Sequence, residues 1–176
     1  MQTNFVANMF KITLFSLLMS LQALCQSNDQ IPKYYGSIGD IKIDPERDNK
    51  DFHACYENYI FQYFNNGGGL EFEGEKIAID HFFFKNYNPE NTPKESGLIR
   101  IQFVVNCKGE SGRFRILGMD PDYHEKTFDA SITNQLLDIC KNLKGWKTKT
   151  MHEHVVDYYQ YLIFKIENGQ LKEILP

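Results

Sequence analysis

Gly97-Leu98-Ile99-Arg100-Ile101-Gln102-Phe103-Val104-Val105-Asn106-Cys107-Lys108-Gly109 is the stretch that decides the fold. Ile99, Ile101, Phe103 and Val105 fall on one side, and Arg100, Gln102, Val104 and Asn106 on the other. That period of two belongs to a strand. Cys107 to Gly112 holds two glycines and makes a tight connection, after which Arg113 to Leu117 continues as the partner strand of a hairpin.

Outward from the hairpin the period changes to that of a helix. Phe128, Ile132, Leu136, Ile139 and Leu143 line one stripe, widened by Leu137 and Cys140 and ended by Gly145. Val155 to Ile166 is a long β-branched and aromatic run. Asn168-Gly169 signals a turn, and Leu171 to Leu175 returns as a short strand. Upstream, Ile77, Ile79, Phe83, Phe84 and Tyr87 mark a rougher helical stripe within Glu73–Tyr87. These elements predict an α+β unit over residues 71–176, a small antiparallel sheet with two helices packed on one face.

Before that unit, residues 26–70 read as an extension with one helix. Phe52, Cys55, Tyr56, Tyr59, Ile60 and Tyr63 are spaced at threes and fours, and Asn65-Asn66-Gly67-Gly68-Gly69 stops the pattern. Ile38, Ile41 and Ile43 suggest a short strand ahead of it. The glycine triplet lacks the Lys-Ser/Thr of a phosphate loop and reads as a turn.

Residues 1–25 read as an export signal. Lys11 precedes the apolar run Ile12–Leu21, which is shorter than the ~20 residues a bilayer span needs. Ala23-Leu24-Cys25 fits a cleavage site that leaves Gln26 first, so no transmembrane span is expected in the mature chain. The weaker alternatives are a lipid anchor on Cys25, where Leu24 stands in place of the small residue that lipidation signals want, and an uncleaved membrane anchor. The expected place is the periplasm or the envelope.

Of the Cys beyond the signal, Cys140 lies on the apolar helix face, leaving Cys55 with Cys107 as the expected disulfide. Lys141, Lys144, Lys147 and Lys149 make a basic run, read either as a solvated helix end or as a site for an acidic partner or anionic headgroups. The chain as a whole carries −4, which argues against general nucleic-acid binding. No hydrolase signature is present: there is no G-x-S-x-G elbow and no H-E-x-x-H, and no cofactor is expected. His152-Glu153-His154 raises a metal alternative. In a strand the two His would share a face, with Asp157 or His124 completing a site, but surface His in a turn is the plainer reading.

The hairpin Gly97–Gly109, with its alternation running into Phe103-Val104-Val105, resembles the first hairpin of TonB C-terminal domains. Leu143-Lys144-Gly145-Trp146-Lys147 resembles that family's helix end with its Trp-Lys, and Leu162-Ile163-Phe164 its final strand. Gly74–Phe83 resembles its opening helix. The resemblance implies a non-enzymatic module that engages a protein or peptide, such as an outer-membrane transporter, by strand addition at a sheet edge. An envelope interaction protein unrelated to transport is the alternative, since fold does not fix function. Val155–Ile166 is the expected edge. Val156, Tyr158, Tyr159 and Tyr161 are the candidate contacts on the strand, unless these Tyr merely cover the sheet. Trp146 and Lys147 are the candidates beside it, unless Trp146 packs the helix end.

Overall fold

The computed structural model describes residues 41–62, 70–90 and 92–175. The export segment, Ile38, Tyr63 and the Asn65–Gly69 stop lie outside the described residues. In chain order the elements are β1 (Ile60–Phe61), α1 (Glu75–Asn86), β2 (Gly97–Val105), β3 (Ser111–Met119), α2 (Ala130–Asn142), β4 (Lys149–Met151), β5 (His154–Glu167) and β6 (Gln170–Leu175). The fold is α+β, as the alternating and helical periods predict. The six-stranded sheet is mixed: β1 runs parallel to β5, and every other pairing is antiparallel.

β5 is the axis of the sheet. β2 pairs along it from Gly97↔Ile166 to Val105↔Tyr158. Its opposite side takes β4 and β1 at one end and β6 at the other. β3 lies outside β2, with a bulge between Gln102 and Val104 opposite Arg113, whose φ is +58°. The Asn168-Gly169 signal holds: both residues have positive φ, as a two-residue hairpin turn needs. A second such turn, His152-Glu153, joins β4 to β5.

Both helices cover one face. Ile79 and Phe83 of α1 and Ile132, Leu136, Ile139 and Cys140 of α2 pack on the β2 residues Ile99, Ile101, Phe103 and Val105, and on Tyr158, Leu162, Phe164 and Ile166 of β5. α2 begins at Asp129, whose carboxylate accepts from the Ser131 N–H at 2.8 Å. Ile77 and Phe84, expected in the α1 stripe, instead face solvent. Cys140 is buried as a free thiol, and burial pushes its pKa well up, so it serves as a small hydrophobe.

Gln160 is the exception in this core. It is fully buried on the helix face opposite Phe103, and neither amide atom has a hydrogen-bond partner. An unpaired buried amide is destabilising, and Met has nearly the same shape. Gln160→Met is expected to raise unfolding free energy by about 1–2 kcal/mol in urea titrations. A loss of stability would mean that the amide is paired after all.

The opposite face is covered by residues 41–62, where the helix expected over Asp51–Phe64 is not found among the described residues. This segment is an irregular strap ending in β1. Its backbone donors go to the sheet rather than to a helical ladder: the Tyr56 N–H donates to the Asp157 carboxylate at 2.6 Å, and Ile60–Phe61 pair with β5. Ile41, Phe52 and Ile60 pack on Val104 and Tyr159. Among the described residues Ile41 and Ile43 form no strand, and Ile43 points to solvent.

Polar groups fasten the strap. Cys55 and Cys107 form the expected disulfide, with a Cα–Cα distance of 6.0 Å. Fully buried Asp157 accepts the Cys107 N–H at 2.8 Å with its other oxygen, so one carboxylate bridges both sides of the disulfide. Arg115 forks onto Asp48 at 2.6 and 2.9 Å, and the guanidinium holds the Asp48 carboxyl below the usual carboxylate range. Buried Arg113 pairs with Glu57 and lies over the Phe52 ring, 5.8 Å from its centroid. Gly112 is needed beneath that ring, because a Cβ there would stand 2.3 Å from it.

Candidate partner-binding edge

Strand addition needs backbone N–H and C=O groups that the sheet leaves unpaired. The edge expected at Val155–Ile166 is not one. β5 is paired with β2 along one side, and with β4, β1 and β6 over residues 154–158 and 163–167 on the other. The proposed grip residues are correspondingly buried. Val156 is 6% exposed, Tyr158 0% and Tyr159 4%, while Tyr161 is half-buried. The Tyr158 hydroxyl donates to the Lys147 carbonyl at 2.8 Å, tying β5 to the chain after α2. Trp146 is buried against Phe72 and Phe103, with ring centroids 4.9 and 5.1 Å away, so it packs the helix end as its plainer reading had it. Lys147 alone among these candidates is exposed, and it lies between α2 and β4, outside any strand. The physical reason is that a strand apolar on both faces is covered on both faces.

The histidines are also placed differently from the strand geometry considered above. His152 sits in the β4–β5 turn with φ +48°, and His154 opens β5, so the two do not share a strand face. His124 lies elsewhere, beside Asp120 and Asp122 in the exposed turn after β3.

Among the described residues β1, β3, β4 and β6 each pair with one strand only, and β3, nine residues long, is the longest of these edges. Apart from the Met119↔Glu125 bridge at its end, β3 pairs only with β2 among the described residues. The Gly118 carbonyl accepts from the Lys126 N–H at 2.9 Å, and the Phe114 carbonyl from the Arg115 guanidinium at 2.9 Å; neither bond goes to β2. Backbone groups alternate sides along a strand. The N–H and C=O of Ile116, between these two, therefore face outward with them. Lys126 closes the end at Gly118, so the open stretch runs over residues 112–117, the length of an ordinary strand of about five or six residues.

A groove of about 660 Å³ runs along this edge, bounded by β3, α2 and the strap. Phe114, Ile116 and Leu137 give it an apolar strip, and Arg47, Lys141 and Lys144 stand at its rim. Two lysines of the basic run, Lys141 in the last turn of α2 and Lys144 just after it, are thus gathered here with arginines from the strap and the hairpin. The sequence signal for this edge is Arg113-Phe114-Arg115-Ile116, since charged side chains on a short strand are how open edges are protected.

No protein-family model, no curated protein and no solved structure matches the chain. Among the described residues no helix is long and apolar enough to cross a membrane.

Proposed function

We propose that this chain is an exported binding module of the cell envelope, not an enzyme, that takes an extended segment of a partner protein as an added strand on β3. The observation that carries this reading is the outward-facing backbone of Ile116 on an edge strand flanked by a groove. The resemblance of the hairpin, the helix end and the closing strand to TonB C-terminal domains supports an outer-membrane transporter as the partner. The second reading, a periplasmic interaction protein unrelated to transport, draws on the strap. A covalently fastened segment covering one sheet face suits a static docking module as well as a transport component.

Capture from envelope extract tests both. The full chain as bait is expected to retain a partner, and Ile116→Pro to reduce capture about ten-fold or more, by removing an outward N–H and the room beside it. Proline is tolerated on an edge strand, so the variant's melting curve should stay close to that of the native chain. Equal capture by the folded variant would refute β3 as the site. A transporter among the captured proteins favours the first reading, and a different periplasmic protein the second.

A further inference from the structure

We infer that the segment accepted by β3 is acidic, a deepening that rests on the strand-addition reading above. The chain carries a net −4, yet the groove is lined by Arg47, Arg113, Arg115, Lys141 and Lys144 against Asp48 as its one acidic residue. Two of the cations are already matched. Arg115 forks onto Asp48, and Arg113 pairs with Glu57 from the strap.

The three at the rim are not neutralised in the same way. Arg47 is 76% exposed with Asp44 at 3.3 Å, and Lys141 is 50% exposed with Asp138 at 4.0 Å. Both are single solvent-screened contacts of small worth. Lys144 is exposed and, among the described residues, has no ion-pair partner. The C-terminal end of α2 contributes only about half a negative charge, less than the two lysines beside it.

Position decides which anion fits. The groove's walls are α2, which lies on the helix-covered face of the sheet, and the strap, which lies on the other. Side chains of an added strand alternate between those two faces. An acidic residue of one parity meets Lys141 and Lys144, and one of the other parity meets Arg47. A polyanionic glycan, lipid headgroup or nucleic acid would meet the cations but leave the Ile116 N–H and C=O unpaired. A polypeptide satisfies both.

The test titrates the full chain with synthetic peptides of about eight residues, the span of the open edge plus a residue at each end. One alternates Val with Glu, one Val with Gln and one Val with Lys; inorganic polyphosphate is the non-peptide polyanion. Amide hydrogen exchange at Ile116 is read alongside affinity. The Glu peptide is expected to bind about ten-fold more tightly than the Gln peptide at low salt. That advantage should shrink as NaCl rises and disappear in Lys141→Glu/Lys144→Glu, while the Ile116 amide is protected. Equal binding of Glu, Gln and Lys peptides with Ile116 protected would overturn the acidic preference and leave strand addition standing. Failure of every peptide to protect Ile116 would overturn strand addition as well. Tight polyphosphate binding without that protection would assign the groove to a non-peptide anion and overturn the inference.

Discussion

Removal of the Cys55–Cys107 disulfide is expected to cost about 4 kcal/mol of stability, the chain-entropy cost for a closed loop of this length. The bond joins residues 52 apart and ties the strap to the hairpin turn after β2. In the Cys55→Ser/Cys107→Ser variant the amides of the strap should exchange far faster than those of β2 and α2. The reason is that the strap has few regular backbone bonds of its own. Its apolar anchors are Ile41, Phe52 and Ile60, a small set beside the core under the helices. Guanidinium titration of the two proteins checks the magnitude. A change below about 1 kcal/mol would mean that the non-covalent fastenings hold the strap unaided.

The second large effect is expected at Asp157. Its two oxygens accept the N–H groups of Tyr56 and Cys107 from a fully buried position, so Asp157→Ala orphans two donors at once. The expected loss is about 3–5 kcal/mol, and Asp157→Asn, which keeps one acceptor, should lose roughly half as much. The two perturbations act on the same joint. Once the disulfide is absent the Tyr56 N–H can reach water, and Asp157→Ala should then cost less than in the oxidised chain. A double-mutant cycle gives this coupling directly. Strict additivity would mean that the carboxylate stabilises the β5 backbone independently of the strap.

Much of the fold was legible because its signals were local. The period-two run at Gly97–Val105, the apolar stripe of α2 and the Asn168-Gly169 turn each carry their structure within a few residues. The disulfide was legible by elimination among the three Cys after residue 25, since the face that buries Cys140 leaves Cys55 with Cys107. The strap was misread because three-and-four spacing is also what an irregular segment shows when alternate residues dip into a sheet. Phe52 and Ile60 turn inward while Tyr56 and Tyr59 face solvent, which no helix stripe through all four allows. Its conformation is set by Asp157 and Cys107, about a hundred and about fifty residues away in sequence.

The expectation that β5 lies at an open edge differs from the pairing for a related reason. A tyrosine-rich strand attracts attention as a contact surface, but apolar groups on both faces of β5 mark a strand covered on both sides, with helices on one and the strap on the other. β3 drew less notice because it is shorter in apolar content and carries Arg113 and Arg115. Those residues are what an exposed edge is expected to carry. Pairing order, which decides which strand is open, is a long-range property that the period of a single strand does not encode.

The proposed binding edge on β3 stands or falls on its outward-facing amides. Its most direct test is amide hydrogen exchange of the full chain, alone and with the envelope protein that it captures. Phe114 and Ile116 are expected to slow markedly on binding while the amides of β5 stay as they were. Slowing confined to the apolar patch around Tyr59 and Val155 at the β4–β5 turn, with Ile116 unchanged, would contradict it.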